Sequence, residues 1–411
     1  MIKKIYYVLK YKPKELYHNW KATQKLKTLI HNKKSKTDKI RIAFVVQMPE
    51  VWDKQAPVYE ALEATENVEC YLMVVPAYDF EKDNLKAYGE EREFFQKKYP
   101  NGHVIDAIKS DGKLIDVASL QLDYIFYQRP YDHYLPVGLR SCDLMETIKV
   151  CYIPYGYQGA AVFTEGNTNA SFFRNVYMGF LDSEDIKNQL VKSFGRNVKT
   201  GIQKFYYLGY PVFDTYLDME NSAEANGILW TPRWAFDPKL GGSHFMDYKD
   251  EFVELRNKYP NKNIVIRPHP LMFENVVKEN LMSEKEVLEY KTLLLQKDIS
   301  IDANKMMEDT IKNSKVLLTD FSSIIITYFM TGKPIIYCPF DTELNELYTK
   351  LLDGIYIANS WKDVEKYLEM IERGEDVLYD TRKRIIEDEL KPLGGGTKRV
   401  VQAILDDYYE V

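Results

Sequence analysis

The run Val316-Leu-Leu-Thr-Asp-Phe-Ser-Ser-Ile-Ile-Ile-Thr-Tyr-Phe-Met-Thr-Gly-Lys-Pro-Ile-Ile-Tyr-Cys-Pro-Phe-Asp341 decides the fold of this chain. It opens with an apolar stretch that predicts a buried strand, and a polar turn follows at 319–323. An apolar segment of helical length then ends at Gly332, and Lys333-Pro334 leads into a second buried strand. Strand, turn, helix and strand in this order form the repeating unit of a parallel sheet with helices packed on it.

The polar turn carries hydroxyl groups directly before the predicted helix. Thr319, Ser322 and Ser323 can point their hydroxyls at the place where the first backbone N–H groups of the helix lack partners. Such an arrangement can hold a phosphate, so the turn predicts a nucleotide-linked donor site. Thr, Asp and Ser are also ordinary helix N-caps, and the spacing alone is equally consistent with capping.

The length and the alternation of elements predict more than one domain. At 411 residues the chain is expected to contain two or three. Strand-like runs and helical patterns alternate along two successive halves, which predicts two doubly wound α/β domains of the Rossmann type facing a cleft. We place an N-terminal arm at 1–39, a first domain at 40–216, an acidic linker at 217–227 and a second domain at 228–411.

Positive charge is concentrated at the N-terminus. Residues 1–40 contain twelve lysines and only two acids, Glu15 and Asp38, within a chain of net charge −6. Aromatic and aliphatic residues interleave with the lysines, and this composition predicts contact of residues 1–39 with an anionic membrane surface. The alternative is a solvated arm that packs loosely on its own domain. The acidic remainder of the chain argues against nucleic-acid binding.

The sequence also indicates a compartment. It contains no run of 18 or more apolar residues, so it predicts no membrane-spanning helix. Its four cysteines lack metal-ligand spacing, and no secretory signal precedes them. We therefore expect reduced, buried thiols and a cytoplasmic protein that associates peripherally with the inner face of the cell membrane.

Two arginines and a histidine follow predicted strands of the second domain. Arg267-Pro-His-Pro270 comes directly after an apolar strand, where ligands bind in parallel sheets. The flanking prolines fix the direction of His269, which can donate to an oxyanion or shuttle a proton near neutral pH. Arg267 can contact a phosphate through two N–H groups. Arg233, in Trp230-Thr-Pro-Arg-Trp234, ends another strand and is expected to project into the cleft.

A glycine-rich turn precedes the last predicted helix. Gly394-Gly-Gly396 is followed by Thr397 and Arg399. Flexible backbone, a hydroxyl and a cation at a helix start are typical of an anion site. The alternative is a glycine-rich turn capped by Thr397.

Five motifs in one order carry a family resemblance. They are Gly209-Tyr-Pro-Val-Phe-Asp214, Arg267-Pro-His-Pro270, Thr319-Asp-Phe-Ser-Ser323, Gly332-Lys-Pro-Ile-Ile336 with Asp341, and Gly395-Gly-Thr-Lys-Arg399. Together they resemble the CDP-glycerol glycerophosphotransferases, the polymerases and primases of teichoic-acid and capsule synthesis. The resemblance is strongest over 205–400, faint over 41–200 and absent from 1–40.

The resemblance implies a GT-B-like pair of Rossmann-type domains, with the donor in the second domain and the acceptor facing the first. Family enzymes transfer an alditol phosphate or similar group when an acceptor hydroxyl attacks the β-phosphorus of the donor, and CMP leaves. Carried over to this chain, Arg267 and His269 would contact the diphosphate. Together with Arg233, the other predicted donor-binding residues are Thr319, Asp320, Ser322, Ser323, Asp341, Gly395, Gly396, Thr397 and Arg399.

The chain departs from the family at the catalytic base. Family members usually have a Trp-His-Gly segment in the N-terminal domain, and the nearest counterpart here, Pro154-Tyr-Gly-Tyr-Gln-Gly159, has no histidine. Gln158 can orient a hydroxyl but cannot accept its proton. Gln128-Arg-Pro-Tyr-Asp-His133 follows another apolar strand, and it offers Asp132 as the first replacement base and His133 as the second.

Three functions fit these residues. The leading one is transfer of a polyol phosphate or sugar phosphate from a CDP-linked donor to a lipid-linked or oligosaccharide acceptor in cell-wall or capsule synthesis. The alternatives are a GT-B glycosyltransferase that uses a nucleotide sugar and a non-catalytic nucleotide- or glycan-binding protein. No carboxylate cluster typical of a catalytic metal is evident, and Mg²⁺ accompanying the donor diphosphate is left open.

Overall fold

The computed structural model describes residues 2–31, 39–79, 82–161, 168–219, 222, 224–238, 241–340 and 342–409, with side chains of the first helix from residue 13 onward. The chain forms two compact units. Unit 1 comprises residues 1–157, 163–212 and 395–411, and unit 2 comprises residues 158–162 and 213–394.

Unit 1 is built on a seven-stranded parallel sheet with the order β5-β2-β1-β6-β7-β8-β9. Its strands read as nearly continuous apolar runs because both faces of a parallel sheet are covered. A short antiparallel ribbon, β3-β4, lies outside this sheet. The strands are β1 Ile40–Val46, β2 Val68–Val74, β3 Tyr78–Asp79, β4 Asn84–Leu85, β5 His103–Asp106, β6 Tyr124–Tyr127, β7 Lys149–Tyr152, β8 Met178–Phe180 and β9 Lys204–Tyr206.

Most helices of unit 1 lie between its parallel strands in sequence, while the first precedes β1 and the last ends the unit. Phe44 of β1 stacks on Phe126 of β6, with ring centroids 4.6 Å apart, in the core beneath them. The α-helices are Ile2–His31, Ala56–Glu63, Glu90–Lys98, Ser141–Leu144, Ala170–Phe173, Glu184–Lys199 and Gly396–Tyr409, and the 3₁₀ turns are Pro49–Lys54, Val117–Leu120 and Asp132–Tyr134.

Unit 2 repeats the plan with a six-stranded parallel sheet of order β12-β11-β10-β13-β14-β15. Its strands are β10 Gly227–Thr231, β11 Ile264–Ile266, β12 Ser300–Ile301, β13 Ser314–Thr319, β14 Ile335–Tyr337 and β15 Tyr356–Ile357. Its helical elements are Val212–Leu217, which begins at the unit border, Phe245–Lys258, Met272–Lys278, Glu284–Gln296, Glu308–Asn313, Ile324–Phe329, Glu346–Leu352, Trp361–Glu372, Tyr379–Ile385, Ile386–Leu390 and Lys391–Leu393.

Each sheet is doubly wound, and the strand order defines one switch point in each unit. In unit 1 the chain proceeds outward from β1 through β2 to β5, and then from β6 in the opposite direction to β9. In unit 2 it proceeds from β10 to β12 and then from β13 to β15. The predicted α/β fold with two Rossmann-type sheets is confirmed. Ligands bind such sheets at the carboxyl ends of the strands on either side of the switch point.

The first and last helices both belong to unit 1. In the N-terminal helix Ala22 and Leu26 are buried, and Lys25 Nζ lies 3.2 Å from a carboxylate oxygen of Glu146. This half of the expected arm is therefore a packed element, and residues 32–38 lie outside the described part of the chain. The C-terminal helix, which we expected to complete the second domain, is instead held in unit 1, where Asp407 accepts a hydrogen bond from Lys149 at 2.7 Å.

Candidate active site

Arg233 lies at the switch point of unit 2, two residues beyond the end of β10. Its backbone N–H donates to Asp320 Oδ2 at 3.0 Å, and its Nη1 donates to the carbonyl oxygen of Phe321 at 2.6 Å. The guanidinium also lies over the rings of Trp234 and Phe321, at 5.8 and 5.2 Å from their centroids. Burial lowers the pKa of Arg233, and Asp320 opposes this shift. Because an arginine stays protonated in proteins, these contacts hold a cation at this edge of the sheet.

Asp320 holds the loops of this edge together. The side chain is buried, and besides Arg233 it accepts hydrogen bonds from Ser243 Oγ at 3.0 Å and from the backbone N–H of His244 at 3.3 Å. Burial raises the pKa of its carboxyl group, although these donors and the nearby His244 act in the opposite direction. These contacts favour a role of Asp320 in positioning Arg233, and direct contact of Asp320 with a donor stays a prediction.

Two glycines that the sequence analysis missed allow close packing beside Arg233 and Phe340. Gly241 and Gly242 have φ values of +98° and +59°. A Cβ atom on Gly241 would lie 2.9 Å from Arg233 Nε, and one on Gly242 would lie 2.4 Å from the ring of Phe340. Only glycine fits both conditions at these positions. The Gly-Gly-Ser-His run at 241–244 was the available sequence signal.

His269 follows β11 on the same edge and is exposed. Its backbone N–H donates to the carbonyl oxygen of Pro232 at 3.3 Å, which ties its loop to that of Arg233. Its Nδ1 accepts the N–H of Leu271 at 3.2 Å. Loss of hydration, with the positive charge of Arg233, lowers the pKa of His269 to about 4. The ring is therefore neutral near pH 7, and with Nδ1 acting as acceptor the proton resides on Nε2.

This geometry changes the role expected of His269. A neutral ring with a proton on Nε2 can donate a hydrogen bond to a phosphate oxygen. The lowered pKa disfavours proton transfer by this ring near neutral pH. Of the two functions that the sequence left open for His269, the structure favours hydrogen-bond donation.

Arg267 is engaged within unit 2. Its Nη1 lies 2.6 Å from Asp302 Oδ2, and the two side chains are 12% and 4% exposed. Thr310 also donates to Asp302 Oδ2, at 2.5 Å. The predicted phosphate contact of Arg267 would require this buried ion pair to open, so the geometry favours a structural role that fixes the strand from which His269 projects.

The serines and the threonine of the predicted phosphate turn differ from one another. Thr319 is fully buried and its hydroxyl bonds to that of Thr231 at 2.7 Å, so it links β13 to β10. Ser322 is half-buried, and among the described residues its hydroxyl accepts only a long 3.5 Å contact from the N–H of Ile324. Ser323 is exposed, occupies the N-cap position of the helix Ile324–Phe329 and makes no capping hydrogen bond. The serine hydroxyls thus remain available to a ligand.

The anion site predicted at the glycine-rich turn, residues 395–399, lies in unit 1. Gly395 has φ +75°, and a Cβ atom on Gly396 would lie 3.0 Å from the backbone of Gly209. Thr397 Oγ1 donates to the carbonyl oxygen of Pro211 at 3.4 Å, and Arg399 Nε donates to that of Leu208 at 2.6 Å. These residues bind the helix start closely to the 208–211 loop, and two of the five resemblance motifs meet there.

Asp132 serves as a helix cap. Its Oδ1 accepts the backbone N–H of Ser141 at 2.8 Å, and its Oδ2 accepts the Ser141 hydroxyl at 2.7 Å and the N–H of Cys142 at 3.3 Å. Both carboxylate oxygens are thereby engaged at the start of the helix Ser141–Leu144. The geometry favours capping over the predicted function as a base. His133, the second candidate, is exposed.

Gln158 belongs to unit 2 and is also held in place. Its side-chain Nε2 donates to the backbone carbonyl oxygen of Ala160 at 2.8 Å. Its backbone carbonyl oxygen accepts a hydrogen bond from Asn345 Nδ2 at 2.5 Å. Ala160 pairs with Leu344 in an isolated antiparallel bridge. The side chain is 8% exposed. These contacts indicate that Gln158 clamps its own segment to residues 343–345, and they do not support the predicted orientation of an acceptor hydroxyl.

Four further findings concern the remaining predictions. Asp341 lies outside the described residues. Within the described ranges, no group of three or more His, Cys, Asp or Glu side chains could hold a metal ion, and Mg²⁺ with the donor stays a prediction. No helix in the part of the chain that the structure describes is long and apolar enough to cross a membrane. Three of the four cysteines are buried as expected, and Cys142 is exposed.

Comparison with known families bears on the unit that holds Arg233 and His269. Residues 191–376 match the family described as CDP-Glycerol:Poly(glycerophosphate) glycerophosphotransferase. The predicted family resemblance is confirmed over this segment. It contains Arg233, His269, Ser322 and Ser323. A search of curated proteins gives no match.

Solved structures show where the fold recurs. UDP-GlcNAc 2-epimerase from Neisseria meningitidis bound to UDP-GlcNAc superimposes with a TM-score of 0.57 at 14% identity, over 89% of this chain and 100% of the other. The wall teichoic acid polymerase TagF gives 0.56 at 13% identity, over 97% and 98%. A variant of that polymerase soaked with CDPG gives 0.54 at 13% identity, over 100% and 98%. At these identities the likeness establishes the fold.

Proposed function

We propose that this chain is a transferase that moves a polyol phosphate, with glycerol phosphate favoured, from a CDP-linked donor to an acceptor hydroxyl in the synthesis of a cell-wall polymer. One observation carries the proposal. A fixed guanidinium, Arg233, and a neutral imidazole, His269, occupy the switch-point edge of unit 2, inside the segment that matches the glycerophosphotransferase family. The acceptor is proposed to be lipid-linked or an oligosaccharide.

The two residues have complementary tasks on a diphosphate. Arg233 supplies a positive charge and N–H donors to phosphate oxygens, which stabilises the ligand and the charge that develops on the leaving group. His269 donates from Nε2 and remains neutral. Ser322 and Ser323 add hydroxyl donors at the neighbouring turn. Asp320 and Gly241 keep Arg233 in place.

The proposed reaction is a single phosphoryl transfer. The acceptor oxygen forms a bond to the β-phosphorus of the donor, and the bond from that phosphorus to the oxygen bridging to CMP breaks. CMP leaves with the electron pair. The hydroxyl proton passes to His133 or to a phosphate oxygen of the donor, because the carboxylate of Asp132 is engaged in a cap.

The leaving nucleotide tests this proposal. The full-length protein is incubated with CDP-glycerol, UDP-sugars and GDP-sugars, each with a short polyol-phosphate acceptor, and the released nucleotide is identified by chromatography. Release of CMP that depends on the acceptor supports phosphotransfer. Release of UDP or GDP would instead show the glycosyltransferase alternative, and no release with any donor would contradict both.

A pair of histidine variants connects the activity to the site. His269→Asn should reduce CMP release by about 10²–10³-fold, since it removes a donor to developing charge. His103→Asn is the matched control, because His103 is 56% exposed on the edge strand β5 of unit 1. Equal activity of the two variants would show that His269 is not part of the site.

We further propose that the N-terminal helix brings the enzyme to an anionic membrane. Leu16, Tyr17 and Trp20 are 57–60% exposed, and the rings of Tyr17 and Trp20 lie 6.2 Å apart. Exposed lysines such as Lys14 and Lys21 accompany them. Apolar anchors beside basic residues are the composition that binds the headgroup region of acidic lipids.

Vesicle flotation tests the membrane proposal. Because Ala22 and Leu26 are buried in unit 1, deletion of the whole helix would remove core contacts, so point variants are preferable. The triple variant L16S/Y17S/W20S should lose flotation with acidic vesicles. The control L288S/L295S removes two leucines that are 66% and 67% exposed on another helix and should float like the wild type. Equal flotation of the two variants would contradict the proposal.

A further inference from the structure

Side-chain hydrogen bonds also join the strand ends at the switch point of unit 1. The side chain of Gln128, at the end of β6, accepts the backbone N–H groups of Gln47 and Met48 at 2.9 and 2.8 Å, and it donates to the carbonyl oxygen of Met48 at 2.6 Å. These three hydrogen bonds join the carboxyl ends of β1 and β6. They also fix the backbone from which the next residue, Arg129, projects.

Arg129 is a half-buried cation with unused hydrogen-bonding capacity. Its Nη2 donates to Gln47 Oε1, and its guanidinium lies 5.0 Å from the centroid of the Tyr134 ring. In the part of the chain that the structure describes, no carboxylate forms an ion pair with it, and Glu50 acts on it only from a longer distance. Burial lowers the pKa of Arg129. A guanidinium has five N–H donors, and among the described residues only Gln47 accepts a hydrogen bond from that of Arg129.

The surroundings of Arg129 are rigid. Gln47 is buried, and its Nε2 donates to the carbonyl oxygens of Pro76 at 2.7 Å and Tyr134 at 3.2 Å. This fixes the orientation of the Gln47 amide, so that its oxygen faces Arg129. A cation held in this way is preorganised, because little side-chain entropy is lost when a ligand binds.

Tyrosine hydroxyls complete the neighbourhood. The hydroxyls of Tyr131 and Tyr155 lie 3.2 Å apart, and both side chains are half-buried. Tyr134, whose ring the Arg129 guanidinium contacts, packs against Tyr131 with ring centroids 5.7 Å apart. The nearest acid in sequence, Asp132, directs its carboxylate to the backbone and hydroxyl of Ser141. The surroundings therefore supply a cation and neutral hydroxyl donors.

We propose that Arg129, with the hydroxyls of Tyr131 and Tyr155, forms an anion site at the switch point of unit 1 that binds a phosphate group of the acceptor. A planar guanidinium and neutral hydroxyls match the tetrahedral oxygens of a phosphate monoester or diester. That the phosphate belongs to an acceptor rests on the proposed function, whereas the site itself rests on the contacts of Arg129. An acceptor that already carries a polyol phosphate would thus be held by the group added in the preceding step.

Equilibrium binding tests the site without any turnover. The full-length protein is saturated with CDP, so that the donor site is filled, and is titrated with sn-glycerol 3-phosphate as a monoester and with bis(glycerol) phosphate as a diester. Arg129→Gln should weaken binding of the preferred phosphate by about tenfold or more, and Arg129→Lys should weaken it less, because the charge remains and the fork is lost. Preference for one probe identifies a terminal or an internal phosphate.

The matched control is Arg41→Gln. Arg41 lies at the opposite end of β1, where its Nε donates to Glu69 at 3.2 Å, so this variant removes the same charge from the same sheet. Unfolding curves check that Arg129→Lys remains folded. Loss of binding in the Arg129 variants alone supports the site, and it does so even if no CMP is released from CDP-glycerol, which would contradict the proposed function only. No saturable binding by the wild type, or equal binding by Arg129→Gln and Arg41→Gln, would overturn the proposal.

Discussion

Asp407→Asn should destabilise unit 1 by an amount that the structure allows one to estimate. The Asp407 side chain is 2% exposed and accepts hydrogen bonds from Lys149 Nζ at 2.7 Å, from the hydroxyls of Tyr124 and Tyr177 at 2.7 and 2.6 Å, and from Lys204. Burial alone would raise the pKa of Asp407, but these partners lower it to about 2. The ionised carboxylate is therefore favoured in the folded state.

The lowered pKa converts into stability with a definite sign. A depressed carboxyl pKa stabilises the fold above the unfolded value of 3.8, and this contribution is lost as the pH falls through the folded value of about 2. At 1.36 kcal/mol per pKa unit, the contribution at pH 7 is about 2–3 kcal/mol. At pH 3 it should be smaller by about 1 kcal/mol, because both states are then partly protonated.

Denaturant unfolding measures this difference. Asp407→Asn should lower the free energy of unfolding of unit 1 by about 2–3 kcal/mol at pH 7. At pH 3 the gap between the unfolding free energies of the variant and the wild type should be smaller. Asp406→Asn is the control, since the Asp406 side chain accepts a hydrogen bond from Gln402 of its own helix, at 2.7 Å, and forms no ion pair within the described ranges. A gap that is absent at pH 7, or that does not change with pH, would refute the reasoning. The same helix begins at Gly396, so the measurement also tests the element that carries Thr397 and Arg399.

Three further predictions concern the site. In NMR titrations assigned with the His269→Asn spectrum, the ring of His269 should titrate near pH 4, and a midpoint above 6 would contradict its neutral role. Ser322→Ala with Ser323→Ala should weaken donor binding in calorimetry, since hydrogen bonds to charged groups contribute about 1.5–3 kcal/mol each, and unchanged affinity with lost stability would indicate capping. Asp132→Asn should cost about 1 kcal/mol of stability as a lost cap and leave kcat near the wild-type value; a collapse of kcat in a folded variant would restore Asp132 as the base.

Much of the fold follows from the sequence because its central strands are continuous apolar runs. β1, β6 and β13 were predictable, since a strand buried on both faces has few polar residues. The edge strands β5 and β12 were not expected, because they are only four and two residues long and partly exposed. The membership of the C-terminal helix was also unpredictable, because its position depends on Lys149 and Lys204, which are distant in sequence.

The candidate site was predictable to the level of segments and less so to that of side chains. The motifs located the strand ends that carry Arg233 and His269. Whether a polar residue at such an end faces a ligand or the protein depends on its partners, and these come from other elements: Asp302 engages Arg267, and Ser141 engages Asp132. Arg129 was missed for the same reason, since only the folded chain shows that no carboxylate of the described residues pairs with it.

The most direct test of the central claim is CDP binding by the Arg233 edge of unit 2. Titration calorimetry of the wild type with CDP should give a saturable one-site isotherm, and Arg233→Gln should weaken it by about tenfold or more. Arg373→Gln, which removes a 60% exposed arginine of the same unit, should bind like the wild type. Absence of CDP binding in the wild type, or equal affinities for Arg233→Gln and Arg373→Gln in folded proteins, would contradict the account.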